Sequence, residues 1–188
     1  RVDRRQRQMC IRDRLPGPSM AVEYVRDDDD DEVTSWGREF AKEGKEPTSV
    51  IFDPPWSALT YPLRVNRSWL EVKSKKLSPV ALGLDADVDL DGRDDLVDVE
   101  AVVSCVAKED LTVPSGVYPD CFKLRRTIYA TFHMTSGGDV DCTYVQYGWF
   151  KPTVGYVQFT GDEITVPNGA RYTFLSQLRE YHFPEDGF

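Results

Sequence analysis

Between Val97 and Cys105 the chain alternates without a break: Val97, Val99, Ala101, Val103 and Cys105 fall on one side, and Asp98, Glu100, Val102 and Ser104 on the other. Successive side chains of a strand point to opposite faces, whereas a helix would scatter these apolar residues around its circumference. The segment is therefore a strand with one buried face, and such a strand needs partners. Residues 68–75, 121–134, 142–150, 155–160, 164–166 and 172–181 supply them, being rich in β-branched and aromatic residues and separated by Gly, Pro and Asp. Ser136-Gly137-Gly138-Asp139 marks a reversal between two of them. Six or seven short strands joined by turns predict a mainly β, antiparallel protein, built as a single curved sheet, a half-barrel or a sandwich. There is no βαβ rhythm, no G-x-G-x-x-G and no G-x-x-x-x-G-K-[ST], so a nucleotide-binding fold has no support.

The 188 residues suffice for one domain with a hydrophobic core. The net charge of −9 is unevenly placed: residues 1–14 hold six Arg and two Asp, a net of +4, so the remaining residues carry −13. An acidic body argues against a nucleic-acid partner, whose phosphates require clustered Lys and Arg. The basic head, RRQRQMCIRDR at residues 4–14, closely resembles the translation of a sequencing-library adapter. On that reading residues 1–14 are an artefact, and any signal sequence is missing from the fragment. Residues 15–48 read as an acidic flexible linker, with an unbroken acidic run over residues 27–32 and a short amphipathic helix over residues 33–43, weakened by Gly37. The folded domain is expected at residues 49–183. No window of about 18 apolar residues occurs, so no transmembrane segment is predicted.

One stretch suggests chemistry. Asp87-Val88-Asp89-Leu90-Asp91-Gly92-Arg93-Asp94-Asp95 has the form D-x-D-x-D-G-x-x-D. Carboxylates at alternate positions, followed by a glycine that permits a sharp turn, let a loop fold its oxygens around one hard cation. An EF-hand would end at a bidentate Glu between helices. Here the twelfth position is Asp98 and a strand follows, so the calcium loops of β-propeller and integrin-type repeats are the nearer parallel. That parallel implies Asp87, Asp89, Asp91, the backbone carbonyl of Arg93 and Asp95 as ligands of a structural calcium ion. The competing reading is a solvated acidic loop that binds nothing tightly, in which water relieves the repulsion among the carboxylates.

Three spaced motifs carry a resemblance. They are Val50-Ile51-Phe52-Asp53-Pro54-Pro55 leading to Tyr61-Pro62-Leu63-Arg64-Val65-Asn66-Arg67-Ser68-Trp69; Glu109-Asp110-Leu111-Thr112-Val113-Pro114-Ser115-Gly116-Val117-Tyr118-Pro119-Asp120-Cys121-Phe122-Lys123-Leu124; and Trp149-Phe150-Lys151-Pro152-Thr153-Val154-Gly155-Tyr156-Val157. Together they resemble a mostly uncharacterised, TapB-like group of bacterial envelope proteins and lipoproteins with a V-P-A-G-T-F-x-C turn. The resemblance implies a β fold and an extracytoplasmic place, whether periplasmic, cell-surface or secreted. Asn66 stands where that group has Gly, a change that a left-handed backbone tolerates. Thr153 replaces another Gly, where a positive φ would strain a β-branched residue.

Cys105, Cys121 and Cys142 allow one disulfide in three pairings, and Cys105 with Cys121 is the first choice because both fall near the facing ends of a hairpin. His133 reads as a sheet residue rather than a catalyst. Trp56, Tyr61, Trp69, Tyr144, Tyr147 and Trp149 read as core more than as the lining of a cleft. No G-x-S-x-G marks a nucleophile. The expectation is a non-enzymatic extracytoplasmic domain that binds an envelope component or a small apolar or glycan ligand, with a small envelope glycan- or lipid-directed hydrolase as the alternative.

Overall fold

The computed structural model describes residues 7–11, 19–29, 32–42, 48–82, 84–161, 164–165, 171–172 and 175–177, with side chains over 32–37, 48–82 and 84–161. Residues 12–18, 43–47 and 178–183, to which parts of the head, the linker and the last strand were assigned, lie outside the described residues. The strands are β1 (Arg7–Ile11), β2 (Ser19–Asp29), β3 (Glu32–Lys42), β4 (Thr48–Thr60), β5 (Ser68–Leu77), β6 (Leu96–Val113), β7 (Gly116–His133), β8 (Asp139–Lys151), β9 (Gly155–Gly161), β10 (Ile164–Thr165), β11 (Arg171–Tyr172) and β12 (Leu175–Gln177). One open sheet runs β1-β2-β3-β4 and another β12-β9-β8-β7-β6-β5, while β10 pairs with β11. Every pairing is antiparallel. The mainly β, antiparallel expectation holds, as two open sheets rather than a single curved one.

Within residues 1–48 the structure places strands. Arg7–Ile11, within the basic head, pairs with residues 21–25 of β2. The stretch expected as a linker carries β2 and β3, and its acidic run crosses their reversal, with Asp27 opposite Val33 and Asp29 opposite Glu32. Backbone ladders do not depend on apolar side chains at a hairpin end, so charge density there does not forbid pairing. Residues 33–42 are strand where a helix is expected over 33–43. Ser35 and Gly37 are buried while Trp36 between them is exposed, which is the period of a strand. A Cβ on Gly37 would lie 2.5 Å from the Val50 carbonyl oxygen, so this glycine permits the close approach of β3 to β4.

The core forms where β4 crosses the inner face of the second sheet. Phe52 and Trp56 of β4 stack at 3.9 Å and pack on Val72, Val97, Val99, Ala101, Ile128, Ala130, Phe132 and Tyr144. Leu59 and Leu63 cover Val103, Cys105, Leu124 and Phe150 in the same way. The inward set of β6 is the set its alternation predicts. Long β6 and β7, 18 residues each, turn through Pro114-Ser115, with Val113 opposite Gly116. A third cluster of Val113, Cys121, Trp149 and Val157 lies at that end. The left-handed tolerance expected of Asn66 is used, at φ 72, whereas near Thr153 it is Gly155, at φ 102, that takes the positive φ. Trp56, Tyr61, Trp69, Tyr144, Tyr147 and Trp149 all belong to, or pack against, these clusters.

The expected Cys105–Cys121 disulfide is corrected: Cys105, Cys121 and Cys142 are all thiols. Cys105 stands opposite Leu124 and Cys121 opposite Glu109, and the two thiols sit in different clusters. A hairpin brings strands together, but a disulfide also needs Cβ atoms within about 4 Å, on the same face and in register. Burial raises the pKa of all three thiols above the ordinary value, which keeps them protonated.

Candidate metal centre

Two turns build the candidate site. A 3-10 turn, Pro79–Leu82, ends the β5 side, and residues 84–95 then loop back into β6. Val88 anchors this loop in the main core. Leu90 (φ 64) and Gly92 (φ 89) turn its tip through left-handed conformations. Facing it is the β7–β8 turn, where Gly137 donates to the Met134 carbonyl at 3.0 Å.

Asp95 organises the loop from below. It is buried, its Oδ2 accepts the amides of Val88 (2.7 Å) and Asp89 (3.3 Å), and its Oδ1 accepts the Thr135 amide at 2.9 Å. Its own amide donates to the Ala86 carbonyl at 2.9 Å, which closes the loop's base. Asp87 accepts the amides of Asp91 (3.1 Å) and Gly92 (2.8 Å). Asp89 accepts the Asp91 amide at 3.2 Å and a short bond from the Ser136 hydroxyl. The Ser136 bond is the main reason why the Asp89 carboxyl lies below its ordinary pKa, so it stays ionised.

Of the four carboxylates expected as ligands, three converge. One carboxylate oxygen each from Asp87, Asp89 and Asp95 lies within 4.8 Å of the other two. Asp91 stands apart from that trio: one of its oxygens accepts the Arg93 amide at 2.9 Å and the other the Thr135 hydroxyl at 2.9 Å. Arg93 is exposed and enters the network through its amide. Among the described residues no Lys or Arg forms an ion pair with Asp87, Asp89, Asp91 or Asp95. Oxygens about 2.4 Å from one calcium ion are at most about 4.8 Å apart. The trio fits that limit, and amide and hydroxyl donors to both oxygens of each carboxylate fix their orientation.

Three side-chain pairings are not legible in the sequence. Thr135 and Ser136 reach the loop from more than 40 residues away, and only the turn signal around them is readable. His133, at the end of β7, lies between two carboxylates, with Nδ1 2.8 Å from Asp139 and Nε2 3.3 Å from Asp98. Glu71 and Arg126 form an ion pair inside the sheet, and Arg126 Nη1 donates to Gln146 at 3.0 Å.

Comparison of the chain with protein-family models, curated proteins and solved structures finds no match. No helix among the described residues is long and apolar enough to cross a membrane.

Proposed function

We propose that this chain is a non-enzymatic, extracytoplasmic β domain whose loop at residues 84–95 holds a structural calcium ion. The observation that supports this reading most is the convergence of Asp87, Asp89 and Asp95 oxygens within 4.8 Å, with no Lys or Arg among the described residues ion-paired to them. Three such carboxylates repel one another unless a cation or solvent relieves them. An oxygen-only donor set suits a hard cation, and water would fill the remaining positions. The role is structural because the loop joins β5 to β6 and braces the β7–β8 turn. Outside the cytoplasm, calcium is abundant enough to load a site of millimolar affinity. That compartment agrees with the envelope resemblance of the three turn motifs, and an envelope component, or a small apolar or glycan ligand, is the partner class it implies. The acidic body disfavours nucleic acid.

Thermal unfolding in a calcium titration tests the reading. Saturation to 100 times Kd adds about 2.7 kcal/mol, which corresponds to a rise in Tm of roughly 5–10 °C for a domain of this size. Asp87→Asn and Asp89→Asn should keep the fold and lose most of that rise. A melting temperature unmoved up to several millimolar calcium would discard the site.

A further inference from the structure

We propose that Asp98, His133 and Asp139 form a pH-sensitive clamp across the ends of β6, β7 and β8, closed when His133 is an imidazolium and loosened when it is neutral. His133 is the last residue of β7 and stands opposite Leu96 on β6 and Asp139 on β8, the final register pairs of both ladders. Its Nδ1 meets the Asp139 carboxylate at 2.8 Å and its Nε2 the Asp98 carboxylate at 3.3 Å. An imidazolium has two N–H donors and serves both carboxylates at once. A neutral ring has one, so its other nitrogen would turn a lone pair toward a carboxylate oxygen. The geometry therefore selects the charged form.

The neighbouring charges agree. On β5, the Lys76 amide donates to Asp98 at 2.8 Å, and this first, then the hydrogen bond and charge of His133 itself and last the Lys75 charge, keeps that carboxylate ionised below its ordinary range. On β8, Asp141 is taken up by the Thr131 hydroxyl at 2.6 Å. The hydrogen bond to Asp139 is the largest effect and raises the His133 pKa above 6.5 against desolvation, with the bond to Asp98 and the charges of both carboxylates adding to the rise. A raised folded-state pKa gives stability that is fully present below the unfolded value and is lost as pH rises through the folded one. The clamp thus holds in acid and loosens from neutral pH upward. What it holds is the root of the Thr135-Ser136 turn, which hydrogen-bonds the acidic loop.

Side-chain NMR titration of His133, with melts of wild type, His133→Gln and Asp139→Asn from pH 5 to 9, tests the clamp. The His133 signal, identified by its loss in His133→Gln, should titrate above pH 6.5. Asp139→Asn should weaken its proton affinity about tenfold. Wild type should lose melting temperature through that titration relative to His133→Gln. A His133 midpoint at or below the ordinary value, or one unmoved by Asp139→Asn, would overturn the proposal. Parallel melting curves for wild type and His133→Gln would do the same, and if that variant fails to fold, the wild-type and Asp139→Asn titrations decide.

Discussion

Glu71 reaches the interior because β5 carries an extra residue where it pairs with β6: Leu70 faces Val102 and Val72 faces Ala101, leaving Glu71 as the bulge. Both Glu71 and Val72 are buried as a result. The carboxylate meets Arg126, which lies on β7 between Leu124 of one core cluster and Ile128 of the other. Arg126 also lies 6.0 Å from the Trp56 ring. Removing one partner leaves a charge stranded in low dielectric, so Glu71→Ala and Arg126→Ala should each cost about 3–5 kcal/mol in urea unfolding. Glu71→Leu combined with Arg126→Met should cost far less than the sum of the single changes, because no lone charge remains. Additive losses would show that the pair is not coupled.

At the scale of elements, the outcome divides by what local patterning can report. The alternation of β6 names its buried face residue by residue, because a strand with one wet face repeats with period two. The β3 expectation fails because Trp36 and Phe40 can be read at helical spacing, while the reason for a strand, the approach of Gly37 to the Val50 carbonyl, lies on another segment. The Glu71 bulge is hidden for a similar reason: it exists only in the register with β6. In the candidate site, the carboxylate spacing is legible from Asp87 to Asp95. That Asp91 turns to Thr135 while Asp95 is buried beneath the loop is not legible, since the β7–β8 turn arrives from 40 residues on. Gly148 offers a test at this scale. A Cβ there would meet the Tyr156 ring at 2.8 Å and the Phe159 ring at 3.1 Å, so the glycine lets β9 aromatics lie over β8. Gly148→Ala should destabilise by about 1–3 kcal/mol, read by chemical unfolding, and an unchanged midpoint would show that these rings move aside freely.

Across the whole molecule, β4 packs one sheet on the other, through Phe52 and Trp56 in one cluster and Leu59 in the next. Trp56→Ala should cost about 3–5 kcal/mol. If the sheets unfold as one unit the transition should remain single, whereas two separated transitions would show that each sheet stands alone. The charge distribution takes on meaning at this scale too. Of the −13 outside the first 14 residues, one concentration lies across the β2–β3 reversal and another in the loop ahead of β6, where three carboxylates converge. Isothermal titration calorimetry with calcium reads the occupation of that loop. Wild type should bind one ion with a Kd between micromolar and millimolar, and Asp89→Asn should lose the heat. No heat up to several millimolar calcium, or equal heat from Asp89→Asn, would contradict the account.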